Sequence, residues 1–331
     1  MASSSSPSSS RRFFGEEWTL LSTRIPVGGL YRCAYASLDD DRHFLLGGRD
    51  RALGSVAVVE YNSLLQNFHK HRRLPERRMN AAAIAMDDDR LLVVGGYTMK
   101  TTDCCRVYDT KSRKWWTDWP PLNIRRDSHE CVVNNNKVYV LGGWNFTDGL
   151  LDSIEELDLS LPTPSWRVLP QRLEKKQTGC RAIAHPTIPH SIIVTGGSNG
   201  NDNYLCCCEM ICLDPAQEGQ TRALPSMTTP REDHALVLVE NRFVVAMGGV
   251  STGYQSISSV EYLDLEEEQQ QWRPLPSMET ARAHFAGFYS PQSHKIVVAG
   301  GVDDDFVALD TVEEFPVLFR GDAPMRDVES E

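Results

Sequence analysis

The sequence lacks most of the features by which function classes announce themselves. No run approaches the ~20 uncharged apolar residues that a membrane-crossing helix needs, so no membrane partner is expected. Basic residues are in deficit: 34 Lys and Arg against 45 Asp and Glu leave a net charge of −11. That balance argues against nucleic acid as the main ligand. The nine cysteines are an odd number and form no pair of matched C-x-x-C motifs. Cys104-Cys105 and Cys206-Cys207-Cys208 are contiguous instead, and neighbouring residues on a strand point to opposite faces. Such thiols cannot easily converge on one ion, and buried, inert side chains are expected. The Ser-rich start, followed by Arg11 and Arg12, lacks the apolar segment of a secretory signal. A disordered tail and a reducing compartment, cytoplasmic or nuclear, are expected. There is no H-E-x-x-H and no Gly-rich phosphate loop opening a helix. Sustained 3.6-residue periodicity is missing too.

What is present is a repeat. A Gly-Gly doublet preceded by an apolar run recurs six times: Phe44-Leu-Leu-Gly47-Gly48, Leu92-Val-Val-Gly95-Gly96, Tyr139-Val-Leu-Gly142-Gly143, Ile193-Val-Thr-Gly196-Gly197, Val245-Ala-Met-Gly248-Gly249 and Val297-Val-Ala-Gly300-Gly301. The spacings are 48, 47, 54, 52 and 52 residues. A second apolar run follows in each period, as in Val107-Tyr108-Asp109 or Tyr262-Leu263-Asp264. Then comes Trp-x-x-[Leu/Trp]-Pro, read as Trp116 to Pro120, Trp166 to Pro170 and Trp272 to Pro276. The fourth period has Thr221 in place of the Trp, and the first offers only Phe68. A third kind of segment is small and apolar, as in Ala81 to Met86, Cys180 to Ala184 and His234 to Val239.

Four short apolar segments per period of about 50 residues is the signature of a propeller blade. With the paired glycines, the following Tyr-Asp and the Trp, the chain resembles the kelch-repeat family over roughly residues 16 to 317. The expected fold is all-β: a six-bladed β-propeller of four-stranded antiparallel blades. The sixth doublet is followed by a third strand, Ala308 to Phe315, but by no Trp strand, whereas Trp18-Thr-Leu-Leu21 fits the missing one. Residues 17–23 are therefore expected to close the ring as the outer strand of the last blade, leaving no open edge there. Residues 1–15 (Ser-rich) and 318–331 (acidic) are expected to be disordered tails.

With strands a to d running alternately up and down, the b–c and d–a loops share one face of the ring. The opposite face carries Asp39-Asp-Asp-Arg42, Asp87-Asp-Asp-Arg90 and Asn134-Asn-Asn-Lys137, which read as solvated hairpin turns. The first face reads differently. Its candidate partner-binding residues are Arg49, Asn80, Tyr97, Arg126, Asp127, His129, Trp144, Asn145, Arg231, Asp233, His234, Arg282 and His284. Arg, Trp and Tyr commonly carry binding hot spots, although an Arg at this point of the repeat can equally brace neighbouring blades. The resemblance implies a protein-interaction scaffold gripping a peptide or protein, often an acidic one, in this funnel. It usually comes with a BTB or F-box segment. Neither is apparent, so a stand-alone kelch protein, monomeric and without a cofactor, is expected. The alternative is a small-molecule or metal site in the same funnel, with oxidase- or epimerase-like activity on sugars, as in some propellers of similar fold. His129, His234 and His284 are the candidate ligands for a metal. A repeat position kept for packing explains them more simply, and no catalysis is expected.

Overall fold

The computed structural model describes residues 13–49, 55–200, 202–214 and 221–318. They form six four-stranded antiparallel sheets, each with strand order a-b-c-d, and two small two-stranded hairpins in b–c loops. Blade 1 comprises Ala34–Ser37, Arg42–Leu46, Val58–Asn62 and Asn67–Lys70; blade 2, Ala82–Ala85, Arg90–Val94, Cys105–Asp109 and Lys114–Trp119. Blade 3 comprises Glu130–Asn134, Lys137–Leu141, Ser153–Asp158 and Trp166–Arg172; blade 4, Arg181–Ala184, Ser191–Thr195, Cys208–Cys212 and Thr221–Leu224. Blade 5 is Ala235–Val239, Phe243–Met247, Val260–Asp264 and Trp272–Leu275. Blade 6 is Ala286–Ser290, Lys295–Ala299 and Thr311–Pro316, and its outer strand is Thr19–Arg24 from the other end of the sequence. The a strands contact one another in sequence around the ring, blade 6 against blade 1 included. This is the six-bladed, N-terminally closed propeller that the repeat implies.

The strands follow from local chemistry. Strand b is buried on both faces in every blade, hence its unbroken apolar runs. In the a–b turns, Asp39 Oδ1 accepts hydrogen bonds from the backbone N–H of Asp41 and Arg42, and Asp87 does the same for Asp89 and Arg90. In blade 3, Asn135 and Asn136 take φ of 52° and 58° between paired Asn134 and Lys137, a two-residue turn that suits Asn. Apolar side chains gather into six clusters, each wedged between two neighbouring blades. The core is thus a ring of contacts, and its closure depends on both chain ends.

Closure uses the repeat's own device. The indole N–H groups of Trp166 and Trp272 donate to the carbonyls of Pro120 and Pro225 in the preceding blades, at 3.1 and 2.9 Å. Trp18 does the same to Pro276 at 2.9 Å and stacks on Phe315. In blade 2 the equivalent ring is Trp115, not Trp116. Trp115 pairs with Tyr108 as Trp166 pairs with Leu157, and it donates to Arg72 O at 3.3 Å, while Trp116 faces solvent. An irregularity further along the strand, between the Val107 and Cys105 pairings, absorbs one extra residue before Pro120, and that residue shifted the motif's apparent register.

The ordered ends pass the limits of 16 and 317 read from the repeat. Gly15 N–H donates to Pro316 O at 2.9 Å, Leu318 N–H to Phe13 O at 2.8 Å, and Phe14 is buried against Phe243, Tyr262 and Phe315. Residues 1–12 and 319–331 of the expected tails lie outside the described residues.

Candidate functional site

The d–a loops meet at the axis in a closed ring of backbone hydrogen bonds. Asn80 N–H donates to Arg32 O, Ser128 to Asn80, Gly179 to Ser128, Asp233 to Gly179, His284 to Asp233 and Arg32 to His284, all at 2.8–3.0 Å. All six residues have positive φ, between 49° and 62°. One step outward, a second set of backbone bonds joins neighbouring blades. The N–H of the second glycine of each doublet donates to a carbonyl two residues before a ring position, as Gly249 does to Arg282 O at 2.9 Å. A Cβ on Gly249 would lie 2.6 Å from Glu232 O, and its φ is +101°, so only glycine lets the two backbones approach this closely.

The residue whose carbonyl takes that bond is Arg78, Arg126, Arg231 or Arg282 in four of the six connections. Their side chains turn into the blade, not into the funnel, and all four are essentially inaccessible. Arg126 donates to Gly142 O, to Ser153 O and Oγ, and to Glu155, which also accepts the N–H groups of Asn123 and Ile124. Arg231 repeats this with Gly248 O, Ser259 and Glu261, and Arg282 with Gly300 O, Thr311 and Glu313. Arg78 bonds Gly95 O and Cys104 O, and its acid is Glu76, because Arg106 occupies the strand position held by Glu in blades 3 to 6. Three of the candidate binding cations are therefore blade braces. Burial disfavours their charge and lowers their pKa, and the facing carboxylates oppose it.

The other candidates divide by depth. Asn80, Asp233 and His284 occupy the ring and line a cavity of about 350 Å³ at the mouth. Asp127 is buried and accepts from Thr101 and Ser128 hydroxyls; Asn145 is buried and donates to Arg125 O and Asp148. Arg49, Tyr97 and Trp144 are half-buried, each bridged through the backbone to the adjoining d–a loop. The rest of the cavity wall escaped the sequence reading: Tyr31, Arg32, Tyr204, Glu232, Tyr254 and Phe306 are its main side chains. A signal existed for Arg32, since it holds the ring position two residues after a carbonyl equivalent to that of Arg126. Here the intervening blade connection carries Leu30 where an arginine would have flagged it. The aromatic loop tips had no such repeat marker.

Beyond the ring the axis narrows to a space of about 30 Å³ and reopens as a cavity of about 500 Å³ walled by the a strands. Arg181 lines both. It donates to His234 O at 2.7 Å and Glu130 at 3.2 Å, and lies 3.6 Å from Asp233. Asp233 also faces His284 at 3.1 Å. Burial opposes the Asp233 charge, but His284 and Arg181 outweigh it and hold its pKa well below the usual carboxylate range.

The three histidines do not converge. His129 and His234 follow the ring residue, while His284 is itself the ring residue, so the blade 6 equivalent of the other two is Phe285. His129 is buried beside Gly95, and burial pulls its pKa down to about 3. His234 is equally buried beside Gly196 and shares a hydrogen bond with Thr195. Among the described residues no three His, Cys, Asp or Glu side chains form a metal-ligand set. None of the nine cysteines is in a disulfide, and burial pushes Cys33, Cys105 and Cys180 up to about 12. Two segments, Gly196-Gly197-Ser198-Asn199-Gly200 and Gly249-Val250-Ser251-Thr252-Gly253, match the G-x-S-x-G spacing of serine hydrolases. Both lie in b–c loops and not at a strand-to-helix turn. Ser251 donates to Pro230 O, Ser198 accepts from Gly200 N–H, and neither is bonded to an imidazole.

Against known proteins, the Kelch motif family matches residues 125–171 and 230–279. The chain is 25% identical over 261 residues to Kelch repeat and BTB domain-containing protein 1 of Camelpox virus (strain CMS), covering 77% of this chain and 43% of that protein. It is 24% identical, with the same coverage, to Kelch repeat and BTB domain-containing protein A55 of Vaccinia virus (strain Western Reserve). Kelch-like protein 38 of Danio rerio is 30% identical over 105 residues, 32% of this chain and 17% of that protein. The chain thus spans less than half the length of these curated relatives. Both matched segments coincide with a brace arginine, its Gly-Gly doublet, its strand-c glutamate and its outer tryptophan: the chain is a six-bladed β-propeller that carries Kelch motifs.

Proposed function

We propose that this propeller is a protein-docking module and that its partner, a polypeptide segment, binds the mouth formed by the b–c and d–a loops. The observation that carries the proposal is where large apolar side chains are left in water. Met99, Phe146, Tyr254 and Phe306 are 90, 77, 61 and 75% exposed, and each stands at the tip of a b–c loop, in blades 2, 3, 5 and 6. Exposed apolar groups collected around a concavity mark interaction sites. Tyr254 and Phe306 line the mouth cavity and Phe146 a pocket between blades 2 and 3, whereas the opposite face exposes Leu64 with Leu65, Leu161 and Ile188 in three separate hairpin turns, none lining either axial cavity. The propeller frame beneath is rigid and braced, which suits a site built on loops. Its free thiols agree with a reducing compartment, which we propose is cytoplasmic or nuclear.

An acidic partner is not part of this proposal. The resemblance implied one, but the arginines that would have met it, Arg126, Arg231 and Arg282, have their charges matched by Glu155, Glu261 and Glu313. Affinity capture with the wild-type chain and with Met99→Ser/Phe146→Ser tests the docking face. Proteins retained by the wild type should be lost from this variant at unchanged thermal stability, and kept by the opposite-face variant Leu65→Ser/Leu161→Ser. The reverse pattern would put the docking face on the other side.

A further inference from the structure

The mouth is chemically lopsided. On the side of blades 4, 5 and 6, three aromatic rings from three different b–c loops border one cavity: Tyr204, Tyr254 and Phe306. The rings of Tyr204 and Tyr254 stand 6.1 Å apart at 88°, forming a corner. Tyr254 and Phe306 are presented from backbone at φ 61° and 58°, a region that bulky side chains rarely adopt, so their display is held against a conformational cost. The loops are tied to each other, since Ser256 donates from its N–H to Asp304 and from its hydroxyl to Val302 O.

At the floor of the same cavity lie two carboxylates that differ in their partners. Asp233 has His284 and Arg181. Glu232 lines the cavity beside Asp233, and among the described residues it belongs to no ion pair. Burial, then the neighbouring Asp233, push its pKa upward, as for a carboxylate that lacks a counter-cation. Arg32 is the one guanidinium among the cavity's lining residues, which include three acids, Asp202, Glu232 and Asp233. The faces of aromatic rings and a buried carboxyl group that ionises once a counter-charge arrives favour the same class of ligand, a cation. The far side of the mouth already shows such a contact, with the Arg49 guanidinium 6.0 Å over the Tyr31 ring.

We propose that the partner inserts a lysine or arginine side chain between Tyr204, Tyr254 and Phe306, with its charge against Glu232. The cavity of about 350 Å³ is at the scale of a single large side chain or small ligand. This inference rests on the mouth being the docking face, and the two fail separately.

Selection of short random peptides on the purified chain is the test. Mouth binders are those that lose affinity for Met99→Ser/Phe146→Ser, residues remote from the aromatic corner. Such peptides should share a Lys or Arg whose replacement by norleucine weakens binding about 10-fold or more. Glu232→Gln and Tyr254→Ala should each weaken the parent peptide comparably at unchanged melting temperature, and Glu232→Gln should add little to the norleucine peptide. Mouth binders that carry no basic residue, or that ignore Glu232→Gln, overturn the cation pocket and leave the docking face standing. Peptides indifferent to both sets of substitutions overturn both.

Discussion

Blades 4 and 5 are neighbours with the same four strands, yet they differ at two repeat positions. Blade 5 has Arg231 locked to Glu261 and Trp272 bonded to Pro225 O. Blade 4 has Gln177 where the arginine belongs and Thr221 where the indole belongs. Glu209 still stands in its strand, accepting the Glu174 N–H at 3.3 Å, but no guanidinium reaches it and burial pushes its carboxyl up to about 7. The inter-blade backbone bond survives regardless: Gly143 N–H donates to Gln177 O at 2.9 Å, as Gly197 donates to Arg231 O at 2.9 Å. The blade-to-blade joint is thus made by glycine and backbone, while arginine, glutamate and tryptophan stiffen it.

Five experiments can break or sharpen that contrast. Among the substitutions the largest effect is expected at the indole. Trp272→Ala should cost about 3–5 kcal/mol by chemical denaturation, and Trp18→Ala the same because it closes blade 6. Thr221→Ala in blade 4 should stay within about 0.5 kcal/mol. Deleting residues 1–24 goes further than either. It strips the edge of Thr311–Pro316 and should yield aggregation on gel filtration.

The brace comes next. Arg231→Ala leaves Glu261 buried and unpaired and should cost about 3–5 kcal/mol, against about 1 kcal/mol for Gln177→Ala. Adding Glu261→Gln to Arg231→Ala should recover part of the loss, since the two are coupled. For this reason arginine variants are poor probes of docking: they weaken the frame itself.

A smaller effect is expected from Glu209. Its folded carboxyl holds a proton more tightly than the ordinary value of 4.5, so the folded state gains most below that pH and loses stability as pH rises to about 7. Glu209→Gln should flatten the pH dependence of unfolding over that window, by roughly 1–3 kcal/mol between its ends. Smallest of all, Met99→Ser and Phe306→Ser should change stability by no more than about 0.5 kcal/mol, because both side chains are already in water. A large effect there would mean that the loop tips support the frame.

Much of this was legible before any coordinates. The doublets at Gly47, Gly95, Gly142, Gly196, Gly248 and Gly300 mark the ends of six b strands. Trp18 marked the borrowed outer strand because an indole flanked by Leu has the same role wherever the chain supplies it. The motif failed locally at Trp115 and Trp116, where two adjacent indoles offered two registers and only the irregular strand pairing chose between them. The mouth was legible as a set of loops, but not as a set of side chains. Asn80 is a ring residue and Arg126 lies only two residues before the ring residue Ser128, yet Arg126 is sealed in a blade and Asn80 lines the mouth.

The sequence by itself determined the number of blades, the order of strands and which loops share a face. Those follow from apolar periodicity and from glycine, whose effects are local and repeat with the chain. Which polar side chains line the mouth was decided only by tertiary structure. A guanidinium goes wherever carbonyls and a carboxylate converge, and here Gly142 O, Ser153 O and Glu155 converge inside the blade. The aromatic corner likewise draws Tyr204, Tyr254 and Phe306 from three separate repeats, so no single repeat contains it.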